Sequence, residues 1–296
     1  MSEWVWPAAA LVFLAVSAVL AVLLLRRSRP GRKRAPGPLA FSIGRVHERG
    51  ARPSQQDSFA VSPPELEEER GLLLVLADGI GGLADGDKAS QTAVNEMMNG
   101  FCTAEGSPEI VLLDLLRRAN EAVNGTLGAE REGKSGSTLV AALLRDGWFH
   151  WISVGDSRIA LLRGGVLHPL NREHVFRREL LLAAINGVGS LEDAMQNPRA
   201  AGLTSYLGMG VLRHVDVPAE PVRVLPGDRV VLMSDGVTNA LEREELEELL
   251  SLPAEQAAEA VRIAVEAKDY PGQDNYTAII LEARERGKGK QCKTVV

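Results

Sequence analysis

Five aspartates stand at the ends of apolar, strand-like segments, where their carboxylates could act together. They are Asp57, Asp78, Asp156, Asp235 and Asp274. An Asp-Gly pair is, by itself, typical of an ordinary turn. If the segments are neighbouring strands, however, the five carboxylates converge, and such a cluster is unfavourable unless cations compensate its charge. Oxygen donors without a histidine or cysteine cluster favour a hard cation, so the pattern predicts a site for Mg²⁺ or Mn²⁺.

Short apolar runs bounded by turn residues predict the strands that must position these carboxylates. The predicted strands cover residues 40–47, 58–61, 72–77, 138–144, 148–154, 158–163, 222–225, 229–233 and 275–281. Turn dipeptides at Asp146-Gly147 and Gly164-Gly165 join consecutive strands as hairpins. Hairpins of this kind favour antiparallel sheets covered by helices over alternating βαβ units.

Helices are predicted where apolar residues recur at helical spacing. One covers residues 89–101, and the next begins with Ser107 as its cap and Pro108 in its first turn. A helical pair is predicted across residues 242–268, whereas residues 171–210 show only weak helical patterns.

Composition and charge narrow the class of protein. The chain has 296 residues, of which 45% are hydrophobic and 24% charged, as in ordinary globular proteins. Two cysteines exclude a disulfide framework and a cysteine-built zinc site. The formal net charge is −6, and six of the positive residues fall within residues 26–34. The rest of the chain is therefore strongly acidic, which disfavours nucleic acid as a partner.

The N-terminal sequence predicts a membrane anchor. Residues 5–25 carry no charge and are long enough to cross a bilayer as a helix. Trp4 and Trp6 lie at one end and the basic cluster at the other, so the positive-inside rule places residue 26 onward in the cytoplasm. A cleaved signal peptide requires the opposite order of charge. Residues 26–39 are then a basic Pro/Gly linker, residues 40–283 the catalytic domain, and residues 284–296 a basic disordered tail.

Six short motifs carry a resemblance to a known family. In order, they are residues 52–58 (RPSQQDS), 77–82 (ADGIGG), 136–138 (GST), 154–158 (VGDSR), 234–236 (SDG) and 274–277 (DNYT). The sequence resembles the metal-dependent protein phosphatases (PPM, type 2C) in their bacterial form. The resemblance implies an α+β fold, a four-layer α-β-β-α sandwich of two antiparallel sheets flanked by helices. It also implies hydrolysis of phosphoserine and phosphothreonine in proteins, including those modified by a cognate kinase.

The resemblance also implies a role for each candidate residue. Two or three Mg²⁺ or Mn²⁺ ions activate the attacking water in this family. Asp78 would bridge two of these ions and the Gly79 carbonyl would bind one of them. Asp235 and Asp274 would hold the first ion, and Asp57 would orient the waters on that ion. Asp156, together with Asp235, would hold a third ion. Arg52 would bind the phosphoryl oxygens because its planar guanidinium matches two of them.

Some residues depart from the family pattern or permit other interpretations. Ile80 replaces the histidine that is a proposed general acid in many relatives, and His174 is expected to be a structural loop residue. Residues 79–84 also match a dinucleotide-binding fingerprint, and residues 81–86 nearly form a P-loop, but Asp87 stands where lysine is needed. The remaining alternative is a non-catalytic member that binds phosphoproteins or serves as a scaffold.

Overall fold

Two antiparallel β-sheets pack face to face, and helices cover their outer sides. The computed structural model describes residues 39–81, 85–128, 130 and 133–286. The strands are β1 (Leu39–Glu48), β2 (Asp57–Val61), β3 (Leu72–Ile80), β4 (Gly136–Ser137), β5 (Leu139–Arg145), β6 (Trp148–Val154), β7 (Arg158–Arg163), β8 (Val166–Pro169), β9 (Val222–Arg223), β10 (Arg229–Met233) and β11 (Tyr276–Glu285). The first sheet has the order β1-β11-β10-β7-β8, and the second has the order β2-β3-β5-β6-β9, with β4 paired to β3.

The helices form the outer layers. They are α1 (Glu67–Arg70), α2 (Gly86–Phe101), α3 (Pro108–Leu127), α4 (Phe176–Ile185), α5 (Leu191–Gln196), α6 (Asp235–Thr238), α7 (Arg243–Leu249) and α8 (Ala254–Ala267), and a 3₁₀ turn covers Pro64–Leu66. Helices α2 and α3 cover the second sheet, whereas α6, α7 and α8 cover the first. The α-β-β-α layering expected from the resemblance is therefore confirmed.

The sequence pattern explains why each layer forms. Strand β3 is apolar at every position from Leu72 to Ala77 because one face meets the other sheet and the opposite face meets α2 and α3. Helix α2 buries Ala89, Ala93 and Met97, which recur every fourth residue. At the start of α3 the Ser107 hydroxyl accepts a hydrogen bond from the Ile110 amide (3.5 Å), as expected for a cap.

The structure contains the predicted strands and helices, although some boundaries differ and several short elements were not predicted. Strand β8 was not predicted, because its four residues, VLHP, give too short a pattern. Strand β3 continues through Asp78 and Gly79 to Ile80, although these two residues were expected to leave the strand in a turn. Strand β11 extends to Glu285, two residues beyond the predicted domain boundary at 283.

The membrane anchor predicted at residues 5–25 lies outside the described residues. So do residues 26–38 of the linker and 287–296 of the tail. Within the ranges that the structure describes, no helix combines the length and the apolar character needed to cross a membrane.

Candidate active site

Asp57 and Asp78 are brought together by the pairing of two strands. They are directly opposite each other in the antiparallel ladder of β2 and β3. The backbone around Asp78 is fixed on its other side as well, because its amide donates to the Thr138 hydroxyl (3.0 Å) and its carbonyl accepts from the Thr138 amide (2.8 Å). The Asp78-Gly79 pair is therefore a continuous strand segment, in which Gly79 pairs with Ser137 of β4.

The other three aspartates come from the ends of neighbouring elements. Asp235 follows β10 as the first residue of α6, Asp274 precedes β11, and Asp156 lies in the turn between β6 and β7. Of the five aspartates, all except Asp57 line one cavity of about 270 Å³. Its lining comprises Arg52, Gln56, Asp78, Gly79, Ile80, Gly81, Thr138, Asp156, Leu203, Asp235, Asp274 and Asn275. Ends of both sheets therefore contribute carboxylates to the same space.

Burial and mutual repulsion raise the pKa values of these carboxyls. Burial, followed by the charges of Asp57, Asp235, Asp156 and Asp274, raises the pKa of Asp78 well above its usual range. Burial raises the pKa of Asp57 to about 6, even though the Ser234 hydroxyl donates to it (2.8 Å). Without a cation, these groups bind protons more readily than ordinary aspartates do.

Asp156 and Asp235 show the same effect. Burial, with a further contribution from Asp235, raises the pKa of Asp156 to about 7. The pKa of Asp235 is raised by burial and then by the charge of Asp274. A cation in the cavity would relieve the same repulsion.

The donors present fit a hard divalent cation. Asp57 Oδ1 is buried and has no hydrogen-bond partner among the described residues, which is costly unless another group contacts it. Arg52 is the only cation among the described residues that line the cavity. In the described part of the chain, no three acidic, histidine or cysteine side chains are already gathered around one point.

Arg52 is paired with one of the predicted ligands. Its Nη2 donates to Asp274 Oδ2 at 2.7 Å, and both side chains are partly exposed. Within the described residues, Arg52 Nη2 forms this hydrogen bond, whereas Nε and Nη1 form none. The guanidinium is thus held at the mouth of the cavity through one nitrogen.

Asn275 attaches the loop that carries Arg52 to the start of β11. Its Nδ2 donates to the carbonyls of Arg49 (2.7 Å) and Ser54 (3.0 Å), and its Oδ1 accepts from the Gln56 amide (2.8 Å). Sequence reasoning noted Asn275 only as part of the motif at residues 274–277. Three hydrogen bonds from one buried amide show that it orders the loop beside the carboxylates.

Gly236 packs closely against the backbone of Asn275, beside the carboxylate cluster. A Cβ there would lie 2.0 Å from the carbonyl oxygen of Asn275, so only glycine fits. Ser234, two residues earlier, accepts from the Thr277 amide (2.9 Å) while donating to Asp57. The SDG motif therefore joins β10 to β11 and to Asp57 through contacts that only the folded chain reveals.

His174 has the structural role expected of it. Its Nδ1 accepts from the Gly155 amide (3.1 Å), and its own amide donates to the Gly155 carbonyl (2.9 Å). Burial lowers the pKa of the imidazole, in keeping with a ring that accepts at this nitrogen. His174 thereby attaches the segment before α4 to the turn that carries Asp156.

Comparison with known proteins identifies the family. A family model described as protein phosphatase 2C matches residues 43–262, which is more than half of the chain. The chain belongs to the protein phosphatase 2C family. The resemblance in the sequence motifs is thereby confirmed.

Similar members of the protein phosphatase 2C family are bacterial. The serine/threonine phosphatase stp of Listeria monocytogenes serovar 1/2a is 34% identical over 229 residues, covering 74% of this chain and 88% of the relative. The crystal structure of the Mycobacterium tuberculosis phosphatase PstP/Ppp superposes with a TM-score of 0.67 at 26% identity, over 83% of this chain and 99% of that one. A further PstP catalytic-domain structure, described in complex with two manganese ions, has a TM-score of 0.65 at 26% identity and covers 83% and 100%.

The raised pKa values predict an unusual pH dependence for this phosphatase 2C chain when metal is removed. Asp156 has a folded-state pKa near 7, above its unfolded value of 3.8, so its contribution to stability is complete at low pH and is lost as pH rises towards 7. With EDTA present, we expect the free energy of unfolding to fall between pH 5 and pH 8 by about 2–4 kcal/mol more in wild type than in Asp156→Asn.

Urea unfolding at the two pH values measures this difference. Asp269→Asn, which changes an exposed aspartate outside the cluster, serves as the matched control and should behave like wild type. Mn²⁺ at pH 8 should restore stability by binding the folded state. Equal pH dependence in wild type and Asp156→Asn would contradict the assignment of repulsion to this carboxyl.

Proposed function

We propose that this chain is a membrane-anchored, metal-dependent serine/threonine protein phosphatase. The observation that carries the proposal is the convergence of buried carboxylates from two sheets beside a single arginine. Membership of the protein phosphatase 2C family and similarity to proteins named serine/threonine phosphatases support the same activity. Its substrates are phosphoserine and phosphothreonine in proteins, including targets of a cognate kinase.

The carboxylates would hold Mn²⁺ or Mg²⁺ in the roles implied by the family resemblance. Asp78 would bridge two ions, with the Gly79 carbonyl as a further ligand of one of them. Asp235 and Asp274 would complete the site of the first ion, and Asp57 would contact it through water. Asp156, with Asp235, would hold a third ion. When bound, such ions supply an activated water near neutral pH and neutralise charge on the phosphoryl group.

The protein's own groups then position the phosphoryl group. Asp274 holds Arg52 by Nη2, so Nε and Nη1 remain available to donate to phosphoryl oxygens. No histidine is among the described residues that line the cavity. Ile80, which replaces the histidine of many relatives, is one of the lining residues. Ile80 cannot protonate the leaving serine or threonine oxygen, so that proton comes from water or from another group in the cavity.

Replacing Arg52 should separate substrate binding from metal binding. Arg52→Ala removes both the phosphate donor and a positive charge beside Asp274. We expect kcat/KM for a phosphopeptide to fall about ten- to a hundredfold, mostly through KM. Because the lost charge repels cations and the pair is partly exposed, Mn²⁺ affinity should rise only about two- to fivefold.

Steady-state kinetics and calorimetric Mn²⁺ titration measure the two effects. Arg52→Lys is the matched control because it keeps the charge but loses the planar fork, so Mn²⁺ affinity should match wild type while kcat/KM recovers only in part. An unchanged kcat/KM in Arg52→Ala would leave phosphate binding to the metals alone.

Removing a central carboxylate should abolish the activity without unfolding the protein. Asp78→Asn keeps the side-chain shape and removes a charge that burial and four aspartates already disfavour. We expect activity on phosphothreonine peptides to fall by orders of magnitude, while the metal-free variant melts at or above the wild-type temperature. EDTA should abolish the activity of the wild type, and added Mn²⁺ should restore that activity.

The same measurement decides between an enzyme and a scaffold. Wild-type turnover that survives complete chelation would contradict a metal-dependent mechanism. Phosphopeptide binding without turnover, in the presence of Mn²⁺ and Mg²⁺, would instead support the non-catalytic member of the fold.

The sequence of residues 5–25 supports a single-pass anchor with the catalytic domain in the cytoplasm. A C-terminal fluorescent-protein fusion should be bright and should sediment with membranes, whereas a C-terminal alkaline-phosphatase fusion should be inactive. Deletion of residues 1–38 should move the fluorescent fusion to the soluble fraction. Alkaline-phosphatase activity from the full-length fusion would reverse the proposed orientation.

A further inference from the structure

A cavity with two histidines in its wall is separate from the candidate active site. Its volume is about 370 Å³, and it is bounded by residues 172–175, by α4 and by residues within 204–216. The ring centroids of His174 and His214, which both line it, are 5.7 Å apart. Among the described residues, this cavity shares no lining residue with the cavity of the carboxylates. We call it the histidine pocket.

The contact between His174 and Gly155 determines which ring nitrogen of His174 carries a proton. Nδ1 accepts a hydrogen bond from the Gly155 amide (3.1 Å), so this nitrogen is unprotonated. Burial, followed by the charges of His214 and Arg178, lowers the pKa of the imidazole, which favours the neutral ring. In a neutral imidazole the other nitrogen is the donor. The proton of His174 is therefore on Nε2.

The Nε2–H group of His174 is a donor at the wall of the histidine pocket. The residue is only 9% exposed, and its ring lines the pocket. Within the described part of the chain, no oxygen accepts a hydrogen bond from this nitrogen, whereas Nδ1 and the backbone amide both have partners. A buried donor that is oriented by its neighbours and lacks an acceptor fits an oxygen atom of a ligand.

Three arginines bring positive charge to the histidine pocket. They are Arg172, Arg178 and Arg213, and all three are exposed. Their guanidinium groups form no ion pair and no hydrogen bond with other described residues, and the one hydrogen bond that Arg172 donates comes from its backbone amide. Unpaired guanidinium groups around one N–H donor favour an anionic ligand.

The acidic residues of the histidine pocket do not cancel this charge, because each already faces a donor. The pairs are Glu173 with Arg158 (2.6 Å), Glu179 with His214 Nε2 (3.6 Å) and Asp216 with the Arg172 amide (3.0 Å). Arg158 is not a lining residue of the pocket, so it neutralises one of the three carboxylates from outside. The three arginines then exceed the remaining carboxylates by one charge.

A phosphate-type oxyanion fits this set of donors. Two of its oxygens can accept from one guanidinium group, and a third can accept from the imidazole N–H of His174. Donation from Nε2 to a negative oxygen also makes Nδ1 a stronger acceptor, as in the carboxylate–histidine pairs that support metal ligands. An anion in the pocket would thus strengthen the bond to Gly155, which directly precedes Asp156.

We propose that the histidine pocket is a regulatory site for a free phosphate-type oxyanion, and that His174 transmits its occupancy to the turn that carries Asp156. Binding of the anion does not depend on the proposed phosphatase function. Inorganic phosphate as the natural occupant does rest on that function, because phosphate is the product released by the proposed reaction.

Calorimetric titration of the full-length protein with inorganic phosphate, in EDTA, tests the site. His174→Asn keeps an oxygen at the position of Nδ1 but has no donor at the position of Nε2, and Arg213→Gln removes one guanidinium. We expect each to lower phosphate affinity about five- to twentyfold. Arg286→Gln makes the same change at an exposed position outside the pocket and should keep the wild-type affinity. Arg52→Ala should keep it too, because Arg52 lines the other cavity.

Nuclear magnetic resonance of the glycine-labelled protein, also in EDTA, tests the connection to the active site. A stronger hydrogen bond moves an amide proton downfield. Phosphate should therefore shift the Gly155 amide proton downfield in the wild type, and it should leave this resonance unchanged in His174→Asn. Thermal melting checks that the variants are folded, and Arg213→Gln, at an exposed position, tests the site even if His174→Asn unfolds.

Three results would overturn the proposal. In the first, Arg213→Gln and His174→Asn bind phosphate as tightly as Arg286→Gln does. In the second, phosphate binds but the Gly155 resonance does not move, which would remove the regulatory role. In the third, a doubly phosphorylated peptide binds in a manner that depends on Arg213 while free phosphate does not, which would assign the pocket to substrate.

Failure of the phosphatase function gives a different result. If the Mn²⁺-loaded wild type hydrolyses neither phosphothreonine peptides nor p-nitrophenyl phosphate, the proposed activity is wrong. The titration and the Gly155 resonance still decide on the histidine pocket in that case, because both are measured without metal.

Discussion

Repulsion among carboxylates that the backbone holds together is the constraint on which this site depends. Asp57 and Asp78 cannot move apart without breaking the pairing of β2 with β3, which is one of the ladders of the second sheet. The first sheet fixes Asp235 and Asp274 at the ends of adjacent strands. Folding thus confines negative charge, and only protons or cations can compensate it. The affinity for metal is therefore built into the fold itself.

The surrounding hydrogen bonds explain why this repulsion does not disperse the cluster. Ser234 joins Asp57 to the backbone of β11, and Thr138 fixes the backbone of Asp78 from the opposite side. Asn275 holds the loop of Arg52 against the start of β11. These neutral side chains add no charge to the site. They hold the backbone that carries the carboxylates in place.

Two of the cavities in the described part of the chain differ in chemistry. The carboxylate site is polar and negative, and it suits metal ions and a phosphoryl group. The larger cavity beneath α4 has an apolar floor and is lined by five arginines.

The sequence by itself determined the strands, the main helices and the set of aspartates, because apolar periodicity and Asp-Gly spacing are local properties. Only the tertiary structure decided that Asp57 faces Asp78 and that the Asp78-Gly79 pair continues a strand instead of ending it. It also decided which nitrogen of Arg52 remains available, and that the weak helix α4 overlies a groove. These features depend on contacts between residues that are distant in the chain, and no local pattern encodes such contacts.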